Sequence, residues 1–224
     1  MKRVYLLLAL VLSVIMSVSA QNNTVPENEK AAYLKVITLR ADKIAGVLNL
    51  KDAKTQEKVS NIIRDQYNNL NDIYIARDAN VKAIKQKQES DKIALETSLK
   101  AEAAKTDAKL AILHKSYLSK LSTQLNPDQV DQVKNGMTYG VVPLTYRAYQ
   151  EQILTLNEEQ KKQILTWLTE AREHAMDAES ADKKHAWFGK YKGKINNYLS
   201  AAGYDLKKEG RDWEKRRKAA ATAN

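Results

Sequence analysis

Aromatic and basic residues are concentrated in the C-terminal part of the chain, where they could bind a ligand. Ten of the fifteen aromatic residues and six of the seven glycines lie beyond residue 135. Residues 182–224 also carry 12 Lys and Arg against only 5 Asp and Glu. Aromatic rings can stack on sugar rings, and Lys and Arg can pair with acidic groups. The excess of positive charge favours anionic partners, which for an exported protein are acidic glycans, lipid headgroups or other proteins. With the aromatic rings, it leads us to expect a surface that binds glycans, including acidic polysaccharides, or assists their processing.

Two segments of this region supply the candidate ligand-binding residues. Met137–Tyr149 is rich in Tyr, and Gly140–Pro143 within it is predicted to be a functional loop. Asp182–Tyr204 is predicted to be a helix, in which Gly189 and Gly193 would permit a close approach of another group. A pocket shared by the loop and this helix would support the assignment. The candidate ligand-binding residues are Tyr139, Tyr146, Arg147, Tyr149, His185, Lys190 and Lys194.

A metal site is one alternative, because four potential ligands recur at i, i+3, i+4 and i+7. His with carboxylates on one helix face can bind a metal ion. However, the chain has no HExxH-type pair, and helix surfaces often carry Glu and His at these spacings. We therefore predict neither a metal nor a cofactor. The four residues are Glu170, Glu173, His174 and Asp177.

A carboxylate-dependent glycoside hydrolase or lyase is a second alternative. Hydrolysis of a glycosidic bond needs two acids placed across a sugar cleft. Several acids border the aromatic region, but their spacing does not distinguish them from solvated side chains. A binding protein is therefore favoured over an enzyme, and no catalytic residue is assigned. The acids concerned are Glu151, Asp177, Glu179 and Asp182.

Two similar sequences, Leu125–Gln129 and Leu156–Gln160, each read Leu-Asn-x-x-Gln and mark helix starts. They resemble the Leu-Thr-x-x-Gln signature of small all-helical periplasmic stress chaperones. Here the second position is Asn, a residue that caps helices well, so capping alone explains the pattern. A chaperone-like or scaffolding protein that binds other proteins through its long helices is the main alternative function.

The apolar periodicity predicts an all-α protein of one domain, with a long antiparallel helical hairpin packed against a compact aromatic-rich unit. Residues 21–125 form the long-helix part, 126–218 the compact part, and 219–224 a frayed tail. The hairpin tip is placed near residue 88, where a polar stretch interrupts the apolar pattern. In the compact part, Trp187 shares a helix face with Ile195 and Leu199, so it is predicted to be a core residue.

The first twenty residues have the pattern of a signal peptide. Lys2 and Arg3 precede an apolar run, and Val18–Ala20 is a small-residue cleavage site. The apolar run is too short for a membrane span, and no later segment is apolar enough to serve as one. The chain is therefore expected to be periplasmic or extracellular, without a transmembrane segment after cleavage. There is no cysteine, so stability must come from packing. Nucleic acid is not an expected partner of an exported protein.

Two runs of sequence carry a family resemblance, KKHAWFGKYKGKINNYLSAAGYDL (183–206) and VVPLTYRAYQ (141–150). In these runs the chain resembles a secreted Bacteroidetes family catalogued as domain of unknown function 3826. The resemblance covers essentially the whole chain after the signal peptide. It implies a helical exported protein that often accompanies polysaccharide-degradation genes, with a role in sugar binding. It assigns no catalytic residue.

Export leads to a direct prediction. Protein isolated from its native host should begin at Gln21, because Ala20 ends the only small-residue cleavage site of the leader. Intact-mass analysis should show the loss of residues 1–20. A retained leader would contradict the assignment.

Overall fold

The structure is a computed structural model that describes residues 27–222, so the predicted signal peptide lies outside it. The described residues form eight α-helices and no strand, which confirms the all-α fold. None of these helices is both long and apolar enough to cross a membrane. The helices are α1 (Glu27–Gly46), α2 (Ala53–Lys87), α3 (Lys92–Ser122), α4 (Pro127–Met137), α5 (Val141–Gln152), α6 (Glu158–Met176), α7 (Ala181–Ala201) and α8 (Leu206–Thr222).

The long hairpin is formed by α2 and α3, as the apolar pattern predicted. The 35 residues of α2 extend over about 50 Å at 1.5 Å per residue. The hairpin turns at residues 88–91, where the Asp91 carboxylate accepts a hydrogen bond from the backbone N–H of Ala94 at 3.0 Å. Across the hairpin, the Asn80 amide donates to Glu102 at 2.9 Å. The hairpin tip therefore lies near residue 88, as the polar stretch predicted.

Both Leu-Asn-x-x-Gln sequences form reciprocal caps. The Asn126 side chain accepts from the Gln129 backbone at 2.9 Å, and the Gln129 side chain accepts from the Asn126 backbone at 3.1 Å. Asn157 and Gln160 repeat the arrangement at the start of α6. Each box satisfies two backbone N–H groups that the first helical turn leaves without partners. Capping thus accounts for the motif.

The prediction of a loop at Gly140–Pro143 is wrong. Only residues 138–140 connect α4 to α5, and α5 already begins at Val141. Tyr139 and Gly140 both adopt left-handed backbone conformations, with φ of 59° and 67°. Two consecutive left-handed residues reverse the chain within a very short distance. Pro143 then lies in the first turn of α5, where its missing N–H has no helical partner to lose.

The core consists of two apolar clusters that meet at α6. The first is formed by α1 to α4 and includes Met176 at the end of α6. The second is formed by α5, α6 and α7, around residues such as Leu168 and Ile195. Gly136 is the glycine that allows a close approach, since a Cβ there would lie 3.0 Å from the Ile44 side chain. The end of α4 therefore packs tightly on the end of α1 through a position without a side chain.

Two predictions about α7 are corrected. Trp187 is only half-buried and packs at the edge of the second cluster, whereas its neighbour Phe188 is 2% exposed and belongs to the core. One residue along a helix rotates a side chain by about 100°, which places these two on different faces. Gly189 and Gly193 face open space, because a Cβ added at either position would have nothing within 4 Å. They do not permit a close contact.

The last helix, α8, lies on the surface and has no buried residue. The Asp205 carboxylate caps it by accepting from the backbone N–H groups of Lys207 and Lys208, both at 3.0 Å. Residues 219–222, predicted as part of a frayed tail, continue the helix. Gln152 at the end of α5 donates to the Leu206 carbonyl at 3.3 Å, which attaches α8 to the second cluster.

The different burial of two adjacent aromatic residues can be tested by mutation. Phe188→Ala should lower the free energy of unfolding by about 3–5 kcal/mol, as expected when a core aromatic side chain leaves a cavity. Trp187→Ala should lower it by clearly less, because that ring is only partly removed from water. Urea unfolding of both variants measures the difference. An equal loss in the two variants would contradict the assigned faces.

Candidate functional site

The C-terminus of α6 is buried, and its carbonyl groups receive side-chain donors from two other helices. The Lys184 ammonium of α7, 6% exposed, donates to the carbonyl oxygens of Ala175 and Met176 at 2.9 Å each. The Tyr74 hydroxyl of α2 donates to the Asp177 carbonyl at 2.6 Å. Buried carbonyl groups at a helix end are costly unless they are paired in this way. The contacts hold α2 and α7 against the same end of α6.

A cluster of ionisable side chains lies beside this helix end. His114 of α3 contacts the Asp177 carboxylate through Nδ1 at 2.7 Å, and its Nε2 lies 3.4 Å from Glu173 Oε2. Lys134 of α4 donates to the same Glu173 oxygen at 2.9 Å. Gln66 of α2 donates to Asp177 at 3.4 Å. Three helices, α2, α3 and α4, therefore converge on two carboxylates one turn apart, Glu173 in the last part of α6 and Asp177 directly after it.

These contacts fix the charge of the cluster. The hydrogen bond to Asp177, with that to Glu173, raises the pKa of His114 to about 9 although burial opposes this. Burial alone would raise the pKa of Glu173, but the hydrogen bonds from His114 and Lys134 outweigh it and lower the pKa to about 2. At neutral pH His114 is an imidazolium whose two N–H groups face carboxylates. It has no free lone pair with which to act as a general base.

A groove of about 580 Å³ opens next to the cluster. Its polar end is formed by His114 and the two carboxylates, and its aromatic wall by Trp187. The other walls come from the hairpin, chiefly Leu110 and Ala111 of α3. The size is that of a small-ligand site, in which a few polar groups orient a ligand against apolar walls. The lining residues are Tyr74, Asp107, Leu110, Ala111, His114, Glu173, His174, Asp177, Ala178 and Trp187.

From this groove a row of aromatic rings runs along the seam between α6 and α7, and we call it the aromatic row. Trp187 stacks on His174 with ring centroids 4.3 Å apart, and Tyr191 lies 6.2 Å from the same His174 ring. Further along, Trp167 and Tyr198 pack edge to face at 5.3 Å. The members of the row are Trp187, His174, Tyr191, Trp167 and Tyr198.

Two lysines lie over the rings of the aromatic row. The Lys190 ammonium is 5.0 Å from the centre of the Trp187 ring. Lys194 lies 4.6 Å from the Trp167 ring and 5.6 Å from the Tyr191 ring, so it bridges the two halves of the row. Both were predicted as ligand-binding residues, and the structure places both on one aromatic surface.

The other five candidate residues lie elsewhere, so the single shared pocket is not formed. Tyr139 stacks on His185 with centroids 5.6 Å apart, on the side of the molecule where α1 meets α4. Tyr149 is buried and donates to the Asn196 side chain at 2.7 Å. Tyr146 packs against the second cluster, and Arg147 is exposed with Glu151 at 4.0 Å. The short connection before α5 explains this, because it turns the Tyr residues of α5 away from His185.

The acidic residues considered for metal binding or hydrolysis do not form one shared site. Glu173 and Asp177 pair with His114, while His174 stacks on Trp187. Glu179 pairs with Arg77 of the hairpin. Within residues 27–222, no group of three His, Asp or Glu side chains is arranged to hold a metal ion. The geometry therefore offers ion pairs in place of a free pair of carboxylates across a cleft.

Comparison with known sequences places the chain in a family. The profile of a protein family of unknown function, DUF3826, matches residues 34–219. The chain belongs to the DUF3826 family. No curated protein matches it. The matched range includes the hairpin, the cluster of ionisable side chains around His114 and the aromatic row of this DUF3826 protein. The site is therefore built from residues within the family domain.

The charge of His114 leads to a pH prediction. Because its folded-state pKa of about 9 exceeds the ordinary value near 6.5, folding favours the protonated form. The stabilisation is complete below about pH 6.5 and disappears as the pH rises through about 9, amounting to about 3 kcal/mol at most. In His114→Asn, which can keep a donor near the Nδ1 position, this contribution should be absent.

The measurement is the free energy of unfolding of the wild type and His114→Asn between pH 6 and 10. The difference between the two proteins should be largest at the acidic end and shrink towards pH 10. Lys184 titrates in the same range, because burial lowers its pKa to about 8. It is present in both proteins, so the difference between them removes most of its contribution. A difference that is independent of pH would contradict an ionised His114.

Proposed function

We propose that this DUF3826 protein binds glycans on the aromatic row between α6 and α7, and that glycans with carboxylate groups fit this surface best. The observation that carries the proposal is that two groups of rings, Trp187 with His174 and Trp167 with Tyr198, lie along one seam. Lys190 lies over the first group, and Lys194 links the two groups across the buried Tyr191. Rings provide flat apolar surfaces for the C–H faces of sugars, and ammonium groups pair with acidic substituents.

The lysines over the rings can be displaced by a ligand at small cost. Lys190 and Lys194 are both exposed, and an exposed cation–π contact contributes only about 0.5–1 kcal/mol. Their long flexible stems let the ammonium groups swing from the ring face to a nearby carboxylate. A sugar ring could then take the place over Trp187 or Trp167, while the displaced lysine pairs with the acidic group of the same or the next sugar.

The charge of the surface also favours an acidic ligand. Among residues 27–222, no carboxylate lies within 4.0 Å of the Lys190 or Lys194 ammonium group. By contrast, two of the three carboxylates of the adjacent groove, Glu173 and Asp177, are already paired with Lys134 and His114, and the third belongs to Asp107. The two ammonium groups over the row are thus not neutralised by an ion pair within the described residues, and the groove at its end offers hydrogen-bonding groups to one terminal sugar.

The cellular setting belongs to the same proposal. A signal peptide would deliver the protein to the periplasm or the exterior, where polysaccharides are found. The resemblance to secreted Bacteroidetes proteins that accompany polysaccharide-degradation genes agrees with this. Binding could therefore assist the processing of a glycan by other exported proteins.

The structure gives less support to protein binding by the long hairpin. Its most exposed large apolar residues on α3 are Ile93 and Ile112, at 82% and 73% exposure. They lie about 30 Å apart along the helix. Client binding uses contiguous apolar patches, whereas isolated exposed apolar residues are normal on any surface. The aromatic row is the more specific feature.

Affinity electrophoresis with polygalacturonate and with neutral xylan tests the proposal. The wild type should be retarded, more strongly by polygalacturonate at low salt, because ions screen surface charges over about 8 Å at physiological ionic strength. Trp187→Ala and Trp167→Ala should each weaken binding at least about tenfold, or about 1.4 kcal/mol. The double variant Lys190→Gln/Lys194→Gln should lose most of the salt-dependent part of the affinity for polygalacturonate.

Lys192→Gln is the matched control, because Lys192 lies on the same helix, is equally exposed and is not placed over a ring of the row. It should change binding far less than the double variant. Absence of binding to a broad panel of acidic and neutral polysaccharides would overturn the proposal. An equal effect of Lys192→Gln would show that only net charge is involved.

A further inference from the structure

A second cavity, of about 390 Å³, lies on the side of the molecule where α1 and α4 meet the start of α7. It shares no lining residue with the groove beside the aromatic row. Its floor and one wall are apolar, formed by Ile44 of α1, by Val47 directly after the end of α1, and by the aromatic ring of Tyr139. The lining residues are Arg40, Lys43, Ile44, Val47, Tyr67, Gly136, Tyr139 and Lys184.

The polar groups of this cavity are cations and hydroxyls, with no acid among its lining residues. Arg40 and Lys43 lie at the exposed rim, and Lys184 lies buried at the base. None of the three has a carboxylate within 4.0 Å among the described residues. Burial lowers the pKa of Lys184 to about 8, and the nearby Arg40 adds to this shift against the attraction of Asp177. Positive charge gathered around a concave surface favours an anion.

The tyrosines of the cavity are placed to contact a ligand. Burial raises the pKa of Tyr67 to about 12, so its hydroxyl stays protonated and can donate. Tyr139 keeps a φ of 59°, a conformation that favours Gly or Asn and is strained for a ring-bearing residue. Tyr139 is 51% exposed, and its ring stacks on His185. Strain of this kind at a cavity wall is often associated with function.

We propose that this cavity binds a small organic carboxylate with an apolar ring. The carboxylate pairs with Arg40 and Lys43 and accepts from the Tyr67 hydroxyl. The ring lies against Ile44, Val47 and the open side of Tyr139. A guanidinium and an ammonium group at one rim suit a carboxylate, since Arg binds its two oxygens in a fork. The apolar floor then distinguishes such a ligand from an inorganic anion.

Isothermal titration or ligand-observed NMR with three probes separates recognition of the carboxylate from recognition of the ring. Benzoate should bind, and more weakly as salt rises. Benzamide, which has the same ring but no charge, should bind at least about tenfold more weakly. Acetate, which has the charge but no ring, should also bind at least about tenfold more weakly. Equal affinity of benzamide or of acetate would overturn the proposal, as would no binding of benzoate.

Mutations locate the binding. Arg40→Gln and Lys43→Gln should each reduce benzoate affinity several-fold, and together should abolish measurable binding. Lys35→Gln removes the same charge from another exposed position of α1 outside the cavity and should have little effect. An equal loss with Lys35→Gln would show non-specific attraction and contradict a site.

Tyr139→Asn gives a second, independent test. Asn adopts the left-handed conformation more readily than Tyr, so the variant should melt at the same temperature as the wild type or higher. It should nevertheless bind benzoate several-fold more weakly, because the ring wall is lost. Unchanged benzoate affinity in this folded variant would show that Tyr139 does not form the site.

Discussion

The buried C-terminus of α6 is the constraint on which the arrangement of the other helices depends. Three successive carbonyl groups there are removed from water and need donors, and they receive them from Lys184 and Tyr74. A lysine whose ammonium group is buried must itself be paired, because an unpaired buried charge is far more costly than a buried hydroxyl. The pairing therefore stabilises both partners. It also determines where α7 begins and which part of the hairpin reaches α6.

The candidate site follows from this junction. His114 and the two carboxylates of α6 form the polar end of the groove only because Tyr74 and Gln66 hold the hairpin against Asp177. The short connection at residues 177–180, where Ser180 caps α7, then returns the chain along α6. The seam between these two helices brings their aromatic side chains into one row. The same stretch at the start of α7 separates the groove, lined by Trp187, from the second cavity, lined by Lys184.

Much of the fold could be predicted from the sequence, because its signals are local. The apolar stripes identified the helices, and Asn126 and Asn157 marked two starts through caps that involve only neighbouring residues. The connection before α5 was misread, since Gly and Pro usually indicate a loop, whereas here a left-handed Tyr139 completes a sharp turn. Trp187 was assigned from the sequence to the buried face of α7, but the next residue, Phe188, occupies that face. The apolar residues on both sides of Trp187 left the buried face ambiguous.

The site was harder to predict, because its contacts join distant parts of the chain. His114 and Asp177 are 63 residues apart, and nothing in the spacing around His114 indicates which carboxylate it meets. The position of His114 on the apolar stripe of α3, between Leu110 and Tyr117, was the one available signal. Lys190 and Lys194 were found because composition concentrates them among aromatic residues. Their positions over particular rings depend on how α6 packs against α7, which composition alone does not determine.

The central claim is that the aromatic row is a glycan-binding surface, and the indole N–H signals of the three Trp test it most directly. Trp167 and Trp187 lie in the row, whereas Trp213 lies on α8 beside Arg217 and serves as an internal reference. In a ¹⁵N–¹H titration with oligogalacturonate, we expect the Trp167 and Trp187 signals to shift together with one saturation curve while Trp213 stays in place. Shifts confined to Trp213, or equal shifts of all three, would contradict the claim.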